Sequence, residues 1–174
     1  MTTSTQAAPL VLPTAEAVAE YGNMVFAIAL THTPRRTDAQ DVFQEAFLAY
    51  HRKQPAFLEE ERRRAWLIKT TLNCARQLTG SSYSRKVVPL YGSALEGPAA
   101  DDFSFRTAEQ DAIFRALRGL SLHYRTVIHL FYFEDLSIAQ IAEALELAPG
   151  TVRVRLSRAR AQLRQELKGS YFDD

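Results

Sequence analysis

The sequence predicts an all-α protein of two small helical domains joined by a flexible acidic linker, and three observations carry that expectation. Apolar residues recur at helical spacing in segments between residues 15 and 80 and again between 107 and 168. Between them, SSYSRKVVPLYGSALEGPAADDFSFR, residues 81 to 106, holds two prolines and two glycines and keeps no period. Charge is also segregated. Residues 62–86 carry seven basic and no acidic side chains, 87–111 one basic and five acidic, and 149–168 six basic and one acidic. Two basic surfaces flanking an acidic connector fit a protein that grips nucleic acid twice, which the net charge of +1 alone would not suggest.

At 174 residues, 47% apolar and 24% charged, the chain has room for two such domains and a core in each. Its single cysteine, Cys74, excludes an internal disulfide and sits in an apolar helical stretch, as a small buried hydrophobe would. Residues 1–14 lack both a basic start and a long apolar run, and no segment approaches the roughly 18 apolar residues that span a membrane. The expected compartment is the cytoplasm, with no direct membrane insertion.

Taken in order, residues 1–14 read as a flexible leader. From Ala15 to about Thr31, Val18, Tyr21, Val25, Ile28 and Ala29 recur at helical spacing and Pro34 closes the segment. Thr37 then caps a helix whose apolar face is Val42, Phe43, Ala46, Phe47, Ala49 and Tyr50 and whose polar face is Asp38, Asp41, Gln44 and Glu45. After a loop, Gln54 to Glu61, helical periodicity resumes, with Leu67, Thr71, Cys74 and Leu78 on one face and Arg62, Lys69 and Arg76 every seven residues on another. That basic row would track a phosphate backbone, and Phe57 and Trp66 offer aromatic surface for an unstacked base. The competing reading of both rings is core packing. The domain is expected over 15–84 and the linker over 85–106. A second domain, 107–168, begins with a helix at Thr107 and Gln110 that turns Ile113, Phe114 and Leu117 inward, and Ser121 caps the next. Residues 169–174 form a tail.

The most informative stretch lies within that second domain. Ser137 and Gln140 form a capping-box start, and Ile138, Ile141, Ala142 and Leu145 make a short amphipathic helix. Glu146, Leu147 and Ala148 make a three-residue turn into Pro149, whose fixed φ suits the first position of a helix. The long helix that follows has an apolar seam of Val152, Leu156, Ala159, Leu163 and Leu167, with arginines over the remaining surface. A short helix, a tight turn and a long basic helix predict a helix-turn-helix that lays the first turns of its second helix in the major groove. Arg153, Val154, Ser157 and Arg158 are then the base-reading patch, while Thr151, Arg155 and Arg160 at its margins hold phosphates. The alternative is a solvated basic face.

Two stretches together point to a family. DAQDVFQEAFLAYHR resembles the helix by which bacterial RNA polymerase sigma factors bind the clamp coiled coil of the core enzyme, and AWLIKTTLNCAR resembles the promoter-melting helix that follows. LSLHYRTVIHLFYFEDLSIAQIAEAL, with APGTVRVRLSRAR after it, is similar to the domain that reads the minus-35 element. Their order and separation match the extracytoplasmic-function (ECF) subgroup over about residues 15 to 168, which implies a sigma region 2-like bundle and a region 4-like helix-turn-helix. The resemblance assigns Asp41, Gln44, Glu45 and Phe47 to core polymerase. It assigns Phe57, Arg62, Trp66, Lys69, Asn73 and Arg76 to the minus-10 element, and the 151–160 residues named above to the minus-35 element. The implied partners are core RNA polymerase, through its clamp coiled coil and its flap, and promoter DNA, with an anti-sigma factor, membrane-bound or soluble, left open. The acidic stretch 87–111, able to reach roughly 80 Å when extended, would by the same resemblance thread the RNA-exit channel.

No metal or other cofactor is expected. HExxH, a cysteine pair and a Gly-rich phosphate loop are all missing, and His32, His51, His123 and His129 lack ligand spacing, so the sequence does not point to an enzyme. The rival reading is a one-component helix-turn-helix regulator, for which residues 15–80 are short and strongly basic at their end.

Overall fold

The computed structural model describes residues 10–33, 35–82 and 116–170. The leader up to Pro9, Pro34, the 85–106 linker, Thr107, Gln110, Ile113, Phe114 and the last four residues of the tail lie outside the described residues. Those described form two units, the first holding 10–29 and 37–82, the second 30–33, 35–36 and 116–170. Among them the secondary structure is helical apart from one isolated bridge between Leu10 and Phe57.

The first unit rests on α1 (Thr14–His32), α2 (Arg36–Lys53) and α3 (Glu60–Ser82). Ala17, Tyr21 and Val25 of α1 meet Ala46, Phe47 and Tyr50 of α2 and Leu67 of α3, with Leu12, Val18, Met24, Phe43 and Trp66 partly buried around them. A second cluster joins Ala29, Ala39, Val42 and Ala75 under Phe26, Cys74 and Leu78. The expected α1 face therefore holds, except that Ala17 and not Val18 is at its centre. Burial pushes the Cys74 thiol above its ordinary pKa, as a packed hydrophobe requires.

Three expectations for this unit need correction. Leu10 to Pro13 are not a loose leader: backbone bonds between Leu10 and Phe57 run in both directions, at 3.0 and 3.3 Å, and the Tyr50 hydroxyl donates to the Leu12 carbonyl at 3.0 Å. Thr37 lies inside the first turn of α2, which starts at Arg36, and does not cap it. Asp38, assigned to the polar face, is 8% exposed.

Gln54 closes α2, its amide bonded to the Tyr50 carbonyl at 2.8 Å, with φ at +39°. A left-handed conformation costs an L-residue about 1–2 kcal/mol, against about 0.5–1 kcal/mol of extra chain entropy for glycine. Gln54→Gly should therefore stabilise this unit by about 0.5–1 kcal/mol. A lowered urea midpoint would show that the Gln54 side chain contributes more than its backbone strain costs.

The second unit contains helical residues 116–119, α4 (Leu122–Tyr132), α5 (Ile138–Leu145) and α6 (Pro149–Ser170). Leu120, Val127, Ile128, Leu130, Leu136, Ile141, Ala142, Val152, Leu156 and Ala159 supply its buried core, and α6 packs on both α4 and α5. Ser121 occupies the position before α4 but makes no side-chain capping bond, contrary to expectation, and α4 stops at Tyr132. A turn through Asp135 at φ +51° follows, closed by the Leu136 amide on the Leu130 carbonyl at 3.0 Å.

Candidate nucleic-acid interface

The helix-turn-helix is assembled from local bonds. The Ser137 hydroxyl accepts from the Gln140 amide at 3.2 Å, and the Gln140 side chain accepts from the Ser137 amide at 2.8 Å, so both halves of the capping box form. At the other end of α5, Glu146 adopts φ +56° and ψ +46°, its amide reaching Glu143 while the Leu147 amide reaches Ala142. These are the closing bonds of a Schellman turn, here built without glycine. Two residues later Pro149 opens α6.

That turn fixes which side of α6 faces outward. Val152, Leu156 and Ala159 are at most 2% exposed against α4 and α5, while Arg153, Val154, Ser157 and Arg158 are all exposed, Val154 to 49%. The predicted base-reading residues thus form one outward patch on the first three turns of α6. Thr151 is exposed beside them and Arg155 is half-buried at the margin.

A groove of about 690 Å³ runs alongside, with Thr151, Val154, Arg155 and Arg158 on one wall and Ser121, His123 and Tyr124 on the other. The last three residues were not anticipated. Ser121 stands just before α4 and His123 and Tyr124 lie in its first turn, a helix start of the kind that attracts anions. The sequence signal that would have found them is the helix start at Ser121, taken as a surface and not only as a boundary.

Arg160 is less free than a phosphate contact implies. Its Nε donates to the Tyr132 hydroxyl at 2.8 Å, and its guanidinium lies 5.3 Å from the Phe131 ring centroid and 5.5 Å from that of Tyr132. The aromatics hold the side chain against α4.

In the first unit, Asp41, Gln44 and Glu45 are exposed on α2 as expected, but Phe47 is not available to a partner. It is 5% exposed and packs on Phe43 with ring centroids 4.9 Å apart. The apolar side chain on that outer face is Leu48, 43% exposed and seven residues from Asp41.

Phe57 and Trp66 are both half-buried, with ring centroids 6.5 Å apart, and Trp66 packs against the core beside Tyr50. Core packing therefore accounts for much of the tryptophan, and the outer part of the pair borders the 54–59 loop. Arg62 is exposed but pairs with Glu59 at 3.2 Å, Lys69 is half-buried, and exposed Arg76 donates to the Asn73 side chain at 3.3 Å. Glu60 accepts from the Tyr21 hydroxyl and from Arg63, bonds that in that order hold its carboxyl below the ordinary range. Burial first, then Glu60, pushes the Tyr21 hydroxyl well above its usual pKa. The carboxylates of Glu59 and Glu60 at the start of α3 are thus partly neutralised by their own neighbours. Among the described residues no group of three or more His, Cys, Asp or Glu is placed to hold a metal ion, and no helix is long and apolar enough to cross a membrane.

These features define a helix-turn-helix protein with a second, independently packed helical unit. Comparison with known proteins extends that class. Residues 17–79 match the family "Sigma-70 region 2" and residues 110–163 the family "Sigma-70, region 4", together more than half of the chain. A probable RNA polymerase sigma factor, RfaY, from Xanthomonas campestris pv. campestris is 32% identical over 154 residues, which are 83% of this chain and 38% of that protein. The ECF RNA polymerase sigma factor SigM of Mycobacterium tuberculosis is 32% identical over 129 residues, 72% of this chain and 62% of that one. The chain therefore spans less than two thirds of the length of either relative. The structure of CnrH in complex with the cytosolic domain of CnrY is similar at a TM-score of 0.61 and 25% identity, covering 90% of this chain and 88% of that one. The chain belongs to the sigma-70 family, in its ECF group.

Proposed function

We propose that the protein is an alternative sigma factor that binds core RNA polymerase and directs promoter-specific initiation in the cytoplasm. The observation that carries this reading is the exposed Arg153, Val154, Ser157 and Arg158 patch on a correctly capped helix-turn-helix, in a chain that also holds a region 2 unit. The patch reads the minus-35 element, with Thr151, Arg155 and Arg160 on phosphates. Phe57, Trp66 and the 54–59 loop take the minus-10 strand, with Arg62, Lys69, Asn73 and Arg76 toward its backbone. Asp41, Gln44 and Glu45, joined by Leu48 in place of Phe47, meet the polymerase clamp, and the flap contacts the second unit. CnrH is seen with the cytosolic domain of CnrY, and an anti-sigma factor, membrane-bound or soluble, is proposed as a further partner of this chain. The chemistry of initiation belongs to the polymerase, so this chain supplies binding and no catalytic group or cofactor.

The test is reconstitution with purified core polymerase. A stoichiometric complex that starts transcription at selected promoters is expected; binding to DNA alone would favour the one-component regulator. Charge reversal in Asp41→Lys with Glu45→Lys should weaken the complex by about tenfold or more, because like charges across an interface cost several kcal/mol. Both carboxylates are exposed, so helicity should not change. Wild-type affinity in a pull-down titration would remove this face of α2 from the interface.

A further inference from the structure

Arg63 is the largest of the fully buried side chains, at 1% exposure, although it lies four residues into α3 from its start. Its Nη1 donates to Glu60, its Nη2 to the Leu10 carbonyl at 2.7 Å, and its guanidinium lies 5.7 Å from the Phe57 ring centroid. The Nε is buried with no acceptor among the described residues. Burying a guanidinium and leaving one donor unmet is a costly way to pack a helix. What the arginine supplies, and an apolar side chain would not, is a grip on the Leu10 carbonyl.

Leu10 is in turn the bridge partner of Phe57, and its carbonyl accepts from both the Phe57 amide and Arg63. The Leu10 side chain is 72% exposed, so the strap is held through its backbone and not by that side chain. Farther along, Leu12 packs against the core beside Trp66, and its carbonyl takes the Tyr50 hydroxyl. The strap, the buried arginine and the Phe57 backbone thus form one hydrogen-bonded body, with the Phe57 ring against the guanidinium.

We propose that the strap Leu10–Pro13, clamped by Arg63, holds the 54–59 loop in the conformation that receives the minus-10 strand, making Arg63 a positioning residue for promoter opening. The inference rests on the minus-10 assignment given under the proposed function. A loop held by bonds at one bridge and one buried charge has little freedom left to lose when an unstacked base arrives, and that preorganisation favours capture. A free loop would have to be ordered by the DNA itself.

The experiment uses holoenzyme reconstituted from the full chain and a promoter that the wild-type holoenzyme selects from a random duplex pool. Leu10→Pro removes the amide that donates to Phe57, while Leu10→Ala trims only an exposed side chain. Opening, followed by permanganate reactivity of thymines, should slow by about tenfold in Leu10→Pro and in Arg63→Met and stay at the wild-type rate in Leu10→Ala. Reselection with Leu10→Pro holoenzyme should return a blurred minus-10 sequence beside an unchanged minus-35 sequence, which a loss of general stability would not produce. Wild-type opening and an unchanged minus-10 sequence in Leu10→Pro would overturn the proposal, as would equal defects in Leu10→Ala and Leu10→Pro. If the wild-type holoenzyme selects no promoter, the sigma-factor reading itself falls, before the strap is in question.

Discussion

Arg153→Ala and Arg158→Ala are each expected to cost about 1–3 kcal/mol on the matched minus-35 duplex and to relax base preference at one position. Both arginines sit on the exposed first turns of α6, on either side of Val154 and Ser157. At 100° per residue these four positions make one patch opposite the buried Val152, Leu156 and Ala159, so they are the side chains that can reach a groove floor. Arg160→Ala should behave differently. Its guanidinium is held by Phe131 and Tyr132 and is proposed to meet a phosphate, so its loss should weaken all sequences alike and flatten the salt dependence by about one. Arg155 lines the groove opposite His123 and Tyr124, and its removal should likewise lower affinity without changing preference. The measurement is equilibrium binding of variant duplexes across a salt series. Interchangeable effects of all four arginines would reduce the helix to a basic surface.

The difference between the two units in what their sequences disclose has a physical cause. In the second unit the deciding interactions are local: Ser137 and Gln140 cap each other across three residues, Pro149 fits its helix start, and the α6 seam follows from period as far as Ala159, with Leu163 and Leu167 half-buried beyond it. Sequence reasoning handles such bonds well because both partners lie within one helical turn. The Glu146 turn escaped it in part, since a glutamate at φ +56° is favoured by the packing of the helices it joins and not by its own propensity.

In the first unit the deciding interactions are long-range and often involve backbone. The Leu10 bridge to Phe57 leaves no apolar pattern, because the Leu10 side chain points to solvent and only its amide and carbonyl are used. Arg63 stands in a run of three arginines that reads as solvated charge, yet the strap above it takes it out of water. The exchange of Phe47 for Leu48 has a simpler origin in the helical period of α2. Phe47 belongs to the apolar face that packs on α1, while Leu48, one residue on and about 100° round the helix, falls among Asp41, Gln44 and Glu45.

Leu156→Ala should be the most damaging single change in the second unit, costing about 2–5 kcal/mol. Leu156 is 2% exposed, between Val152 and Ala159 on the seam of α6, which packs on both α4 and α5. Truncating it removes a fully transferred side chain and leaves a cavity that three fixed helices cannot easily fill. At the usual 0.05–0.15 kcal/mol per residue, a unit of this size has only a few kcal/mol of stability to lose. Minus-35 binding should therefore fall steeply at 37 °C although no DNA contact has been touched. Val154→Ala is the matched control, two residues away on the same helix but 49% exposed, and should change stability by less than about 0.5 kcal/mol. Hydrogen exchange separates the cases: Leu156→Ala should raise exchange across α4, α5 and α6 together, and Val154→Ala should leave it unchanged. Similar exchange in both variants would mean that the seam does not hold the helix-turn-helix together, and the assignment of the opposite face to DNA would lose its structural basis.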